Sequence, residues 1–130
     1  MRATALLIVL ACALLPLGAA AQLDTTRRAA TVRAGPDQVF PQVIRLPIAS
    51  NLNVIGCTAN REWCDILSGR TRGWVPVGDI TPSSRLRDAP TVKFAVEDYW
   101  NEHYRRRPWF TNKDRWAAWG TPGFVPPAAR

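Results

Sequence analysis

The stretch GCTANREWCDI, residues 56–66, sets Cys57 and Cys64 on either side of a short segment centred on Asn60-Arg61. Asn60 is a turn residue. If the flanks form two antiparallel strands around it, opposed residue numbers sum to 121, so Cys57 faces Cys64, Ile55 faces Ile66 and Val54 faces Leu67. Alternation then puts Ile55, Cys57, Cys64 and Ile66 on one apolar face. Directly opposed Cα atoms lie roughly 4.5–5.5 Å apart, a span a disulfide tolerates. The register demanded by hydrophobicity and the one demanded by a Cys57–Cys64 bond therefore agree. Closing a loop of about eight residues stabilises the fold by roughly 2.5 kcal/mol through chain entropy.

Whether the bond forms depends on compartment. Arg2 precedes an almost unbroken apolar run over 3–15, Pro16 and Gly18 break it, and Ala19-Ala20-Ala21 supplies small residues for cleavage. Residues 1–21 read as a secretory signal peptide, and export to the periplasm or the medium is expected. An uncleaved anchor is the first alternative, for which the run is short. A lipoprotein box at Val9-Leu10-Ala11-Cys12 is the second, and it would leave apolar 13–21 at the start of the processed chain. Cleavage after Ala21 leaves 109 of 130 residues, with 16 Lys and Arg against 10 Asp and Glu. That is one small domain with an appendage. Its positive balance suits anionic envelope surfaces, with nucleic acid the weaker candidate for a protein that leaves the cytoplasm. Cys12 leaves with the leader, and the remaining two cysteines are expected to pair in an oxidising compartment.

The region 31–80 reads as short strands separated by turns. The expected strands are 30–33, 51–57, 63–67 and 72–75, with a long irregular segment from Ala34-Gly35-Pro36 to Pro47. A four-residue connection 68–71 pairs Leu67 with Arg72, Asp65 with Trp74 and Cys64 with Val75. Val75 then joins the cystine face. Trp63, Asp65 and Trp74 gather on the other as candidate ligand-binding residues; an odd connection would send Trp74 to the core. Two tryptophans half-covered by the loop or by the C-terminal segment are the competing arrangement.

Thr31-Val32-Arg33-Ala34-Gly35-Pro36, Val54-Ile55-Gly56-Cys57, Trp63-Cys64-Asp65-Ile66 and Arg72-Gly73-Trp74-Val75 follow one another in order. This series resembles the bacterial SH3-like (SH3b) family over about 28–80. The resemblance implies an all-β fold, a small, strongly bent five-stranded barrel over 22–80. It also implies a non-catalytic targeting module, some relatives of which bind peptidoglycan peptides. The acidic and aromatic loop motif of eukaryotic SH3 domains is missing, so proline-rich ligands are not implied.

Residues 81–90 read as a polar linker. Beyond it, 91–130 form an appendage holding nine of the twelve aromatic residues, all between Phe94 and Phe124. Val96, Tyr99, Trp100, His103 and Arg107 make a helical stripe, with Glu97 and Asp98 at its start and Arg105-Arg106-Arg107 at its end. A helix over 97–107, stopped by Pro108, is expected, and the tail 122–130 is expected to be disordered. The aromatics either dock on the small barrel or form a basic-aromatic surface. In the second case Trp100, Arg105, Arg106, Arg107 and Trp109 would meet an envelope protein or anionic lipid.

Little points to an enzyme. A zinc site needs about four ligands, and the processed chain has two cysteines and the single His103. A redox pair favours the tighter Cys-x-x-Cys spacing. A disulfide removes the thiol of any Cys-His pair. Glu62, Asp65 and Asp79 show no spacing that favours a glycosidase pair over surface charge. No metal, cofactor or catalytic residue is expected. The expected partner is a cell-wall peptide or envelope polymer, with an envelope protein as the alternative.

Overall fold

The computed structural model describes residues 23–127 together with Cys12 and Ala13. The expected leader otherwise lies outside the described residues, and Cys12 carries a free thiol. Among the described residues no helix is long and apolar enough to cross a membrane.

The fold is mostly sheet. Six strands, β1 (Asp24–Thr25), β2 (Ala30–Arg33), β3 (Gln42–Leu46), β4 (Asn51–Cys57), β5 (Trp63–Ser68) and β6 (Thr71–Pro76), form one antiparallel sheet. Their order is β1-β4-β5-β6-β2-β3. Past β6, a 3-10 turn at Val77–Asp79 leads Ile80 into a bridge with Thr26, so the chain leaving β6 meets the β1 edge. The irregular segment expected before Pro47 contains β3, which pairs with β2 from Ala30↔Leu46 to Arg33↔Gln42.

Both hairpins of the opening argument form. The β5–β6 register is the expected one: Leu67↔Arg72, Asp65↔Trp74 and Cys64↔Val75. In β4–β5, Cys57 faces Cys64 and the two are disulfide-bonded, with Cα atoms 4.0 Å apart. Beyond the cystine the register slips by one, and Val54 faces Ile66 while Asn53 faces Leu67. The expected Ile55–Ile66 and Val54–Leu67 pairs are therefore not made, because a bulge separates Val54 from Gly56. The bulge lies where residues 90–92 join the sheet. Cys57 N–H donates to Pro90 O at 2.8 Å, and Val92 N–H donates to Cys57 O at 2.9 Å. A Cβ on Gly56 would run into Val92 and come within 2.9 Å of Pro90 O, so this approach needs glycine.

The segment 81–90, read as a linker, is packed. It forms α1 (Ser84–Arg87), capped by Ser83, whose Oγ accepts from Leu86 N–H at 3.0 Å. The same hydroxyl donates to Asp24 at 2.6 Å, and Leu86 is buried.

The appendage adds Val96, Trp100, Tyr104 and Trp116 to the buried core. α2 (Val96–His103) carries Glu97 and Asp98 in its first turn, where they complement the helix dipole. It ends four residues before the expected Arg107. Tyr104 turns inward, is buried, and donates its hydroxyl to Arg72 O at 2.8 Å. Pro108 holds Arg107 in an extended conformation, ψ 141°. A 3-10 turn over Pro108–Asn112 and α3 (Lys113–Trp116) follow, and no expectation covered them. Trp100 is fully buried, with its Nε1 donating to Ala34 O at 2.9 Å. Trp116 stacks on Phe40 at 4.6 Å, and Phe94 meets the same ring edge-on at 5.4 Å. Phe124, in the stretch expected to be disordered, packs on Trp116 at 5.6 Å.

Candidate functional site

The even register of β5–β6 places Trp63, Asp65 and Trp74 on one face, but the appendage covers most of it. Trp74 is 1% exposed beneath Phe94 and Tyr99, whose rings lie 5.5 and 5.8 Å away. Its Nε1 finds no acceptor among the described residues. Asp65 is buried and accepts from Arg72 Nε at 2.8 Å and Nη2 at 2.7 Å, and from the Tyr99 hydroxyl at 2.6 Å. A bidentate guanidinium and a phenol satisfy this carboxylate internally. The hydrogen bonds Arg72 donates to Asp65 raise the Arg72 pKa, while burial pushes the Tyr99 and Tyr104 phenols far up. Trp74 and Asp65 thus belong to the seam between sheet and appendage. They do not line an open groove with Trp63.

Trp63 itself is half-buried and faces an open cleft of ≈ 770 Å³. The segment 36–39, Thr58, Ala59, Asn60 and Glu62 of the hairpin tip, and Trp119 complete its walls. The hairpin tip is braced from within: Thr58 O accepts from Arg61 N–H at 2.8 Å, and Asn60 Oδ1 accepts from Glu62 N–H at 3.1 Å. Asp37 Oδ2 accepts from Trp119 Nε1 at 3.4 Å and so ties the appendage to the loop after β2. Two indoles and two carboxylates, Asp37 and Glu62, therefore border one cleft. Such a surface can stack an apolar group and hold a cation at once. Sequence reasoning found Trp63 but missed Trp119 and Asp37, which lie 82 residues apart and meet only in the fold.

The second group of expected site residues divides in the same way. Trp100 is core, and Trp109 is half-buried against it at 4.7 Å. Arg105, Arg106 and Arg107 are exposed. Arg105 Nε donates to Asn101 O at 2.7 Å, and Arg107 Nη1 to Val43 O at 3.3 Å. His103 packs against the Tyr99 ring at 4.6 Å. Burial, followed by the Arg72 charge, lowers its pKa, against the smaller opposing pull of Glu102 and Asp65. Among the described residues, no group of three His, Cys, Asp or Glu side chains is placed to hold a metal ion.

No family model matches the chain, and no curated protein or solved structure matches it significantly.

Proposed function

We propose that this protein is an exported, non-catalytic binding module of SH3-like type that recognises a peptide of the cell envelope, such as the peptidoglycan stem. The observation that carries the reading is the Trp63–Trp119 cleft, with Asp37 and Glu62 at its border. A peptide bearing a free ammonium group presents the cation and the apolar body that these walls complement. The SH3-like assignment rests on the order of the motifs between 31 and 75 and on the antiparallel sheet into which they fall. Export rests on the leader-like 1–21 segment and is consistent with the disulfide.

Purified protein is expected to co-sediment with peptidoglycan sacculi. Trp63→Ala should weaken that binding about tenfold, in line with the loss of a central aromatic anchor. Wild-type protein remaining in the supernatant would reject the proposal. The adaptor reading narrows to the exposed Arg105-Arg106-Arg107 run, since the aromatic part of the appendage is mostly turned into the core. Binding of an envelope protein or anionic lipid through these arginines would fall steeply with salt.

A further inference from the structure

A separate cavity of ≈ 360 Å³ lies between the tip of the β4–β5 hairpin, the 3-10 turn after β6, and α1. Val77, Ile80, Pro82 and Leu86 make its lining largely apolar, and the Cys57 end of the disulfide reaches it. Three arginines, Arg27, Arg61 and Arg87, also line it.

The three guanidinium groups are not neutralised. None of them forms an ion pair among the described residues; Asp79 pairs with Arg28 at 3.5 Å and Asp24 with Arg85 at 3.4 Å. Two are fixed by backbone carbonyls, which orient a cation without cancelling its charge. Arg27 Nε donates to Gly78 O at 2.6 Å. Arg61 donates to Ala89 O at 2.8 Å, Leu86 O at 2.9 Å and Arg87 O at 3.0 Å. Arg61 also holds φ 61°, a left-handed conformation uncommon for a residue with a long side chain. Its side chain clamps the hairpin tip to α1 and so fixes two walls of the cavity. Arg87 is exposed.

An apolar cavity with three fixed or accessible cations suits a ligand with an apolar body and an anionic head. The volume is near the lower end for ligand cavities, roughly 300–1,000 Å³, which leaves room for one chain and not two. We infer that this cavity binds a single-chain anionic amphiphile, with the chain against Ile80 and Leu86 and the head on Arg27, Arg61 and Arg87. This site is distinct from the Trp63–Trp119 cleft and does not depend on the peptide-binding reading. A carboxylate and a phosphate head share the required chemistry.

The test is calorimetric titration of the purified protein with dodecanoate and with dodecyl phosphate, each below its micellar concentration. Dodecyltrimethylammonium, with the same chain and the opposite charge, is the control. Saturable binding of either anion is expected, and the tighter one identifies the head. Arg87→Gln should weaken it about tenfold, the effect of one lost charged hydrogen bond. Gly78 also lines the cavity and a Cβ there meets nothing within 4 Å, so Gly78→Leu should abolish binding while circular dichroism shows the fold intact. Methyl chemical shifts should move at Val77 and Leu86. The inference is overturned if neither anion binds saturably, if the cationic amphiphile binds as tightly, or if both variants bind like the wild type.

Discussion

Trp100 tests whether sheet and appendage are one folding unit. Its ring is fully buried between Phe40, Tyr104, Trp109 and Trp116, and its Nε1 donates to Ala34 O in the turn after β2. Trp→Ala in a core costs about 3–5 kcal/mol in transfer and cavity terms. Here it also removes the hydrogen bond to the carbonyl of Ala34, itself buried, so the upper part of that range, about 4–5 kcal/mol, is expected. That is a large share of the roughly 5–15 kcal/mol that stabilises an ordinary domain. Trp100→Phe keeps most of the ring and loses the donor, for about 1–3 kcal/mol; it reports even if the alanine variant does not fold. Urea unfolding should be followed in parallel by far-ultraviolet circular dichroism, which reads the sheet, and by tryptophan fluorescence. A single transition is expected in wild type and in Trp100→Phe, with the midpoint lowered and the slope unchanged. If the sheet signal of Trp100→Phe melts at the wild-type midpoint while fluorescence shifts alone, the appendage is a separate unit and the account of the core is wrong.

Two further outcomes follow from the geometry. Replacing Cys57 and Cys64 together by serine should cost at least roughly 2.5 kcal/mol in urea unfolding, since a loop of about eight residues is no longer closed. A thiol assay on protein from an oxidising compartment should find neither of these sulfurs reactive. The lowered His103 pKa makes stability depend on pH, because on acidification the unfolded chain takes up its proton first. Its contribution is therefore level above the unfolded value of about 6.5 and declines as pH falls from there towards the folded pKa. His103→Gln should flatten that decline, read as urea midpoints from about pH 7.5 down to about pH 5. An unchanged slope would mean that the burial of the ring leaves its titration untouched.

Local chemistry made the β4–β5–β6 hairpins legible. Turn residues, alternation and opposed cysteines all pointed to one pairing, and it formed through Cys57↔Cys64 and Cys64↔Val75. The pairing departed from the expected one at Ile55, where the cause is not local: the bulge lies beside Gly56, against which residues 90–92 pack. β3 was hidden because it is an edge strand whose buried positions, Val43 and Leu46, break the alternation of two, and prolines flank it. The Trp63-Asp65-Trp74 face was foreseen as a face, but not its cover. The Tyr99 hydroxyl that reaches Asp65 comes from 34 residues away, and nothing near Asp65 announces it. In the appendage the helical stripe of Val96 and Trp100 was plain from spacing. Which rings face the core depended on Phe40, in a segment without a recognisable period.

The bond from Trp100 to Ala34 closes 66 residues of chain, and the one from Trp119 to Asp37 closes 82. Contacts of such sequence separation form late, since a long loop must close before they contribute. The strands leave the ribosome first, yet Phe40 has no stacking partner until Trp116 has been made. The sheet is thus synthesised well before the contacts that consolidate it, and a chain stopped before α3 would carry an exposed aromatic surface. A nascent chain of this protein should therefore stay open to proteases and chaperones until Trp116 and Trp119 have been made.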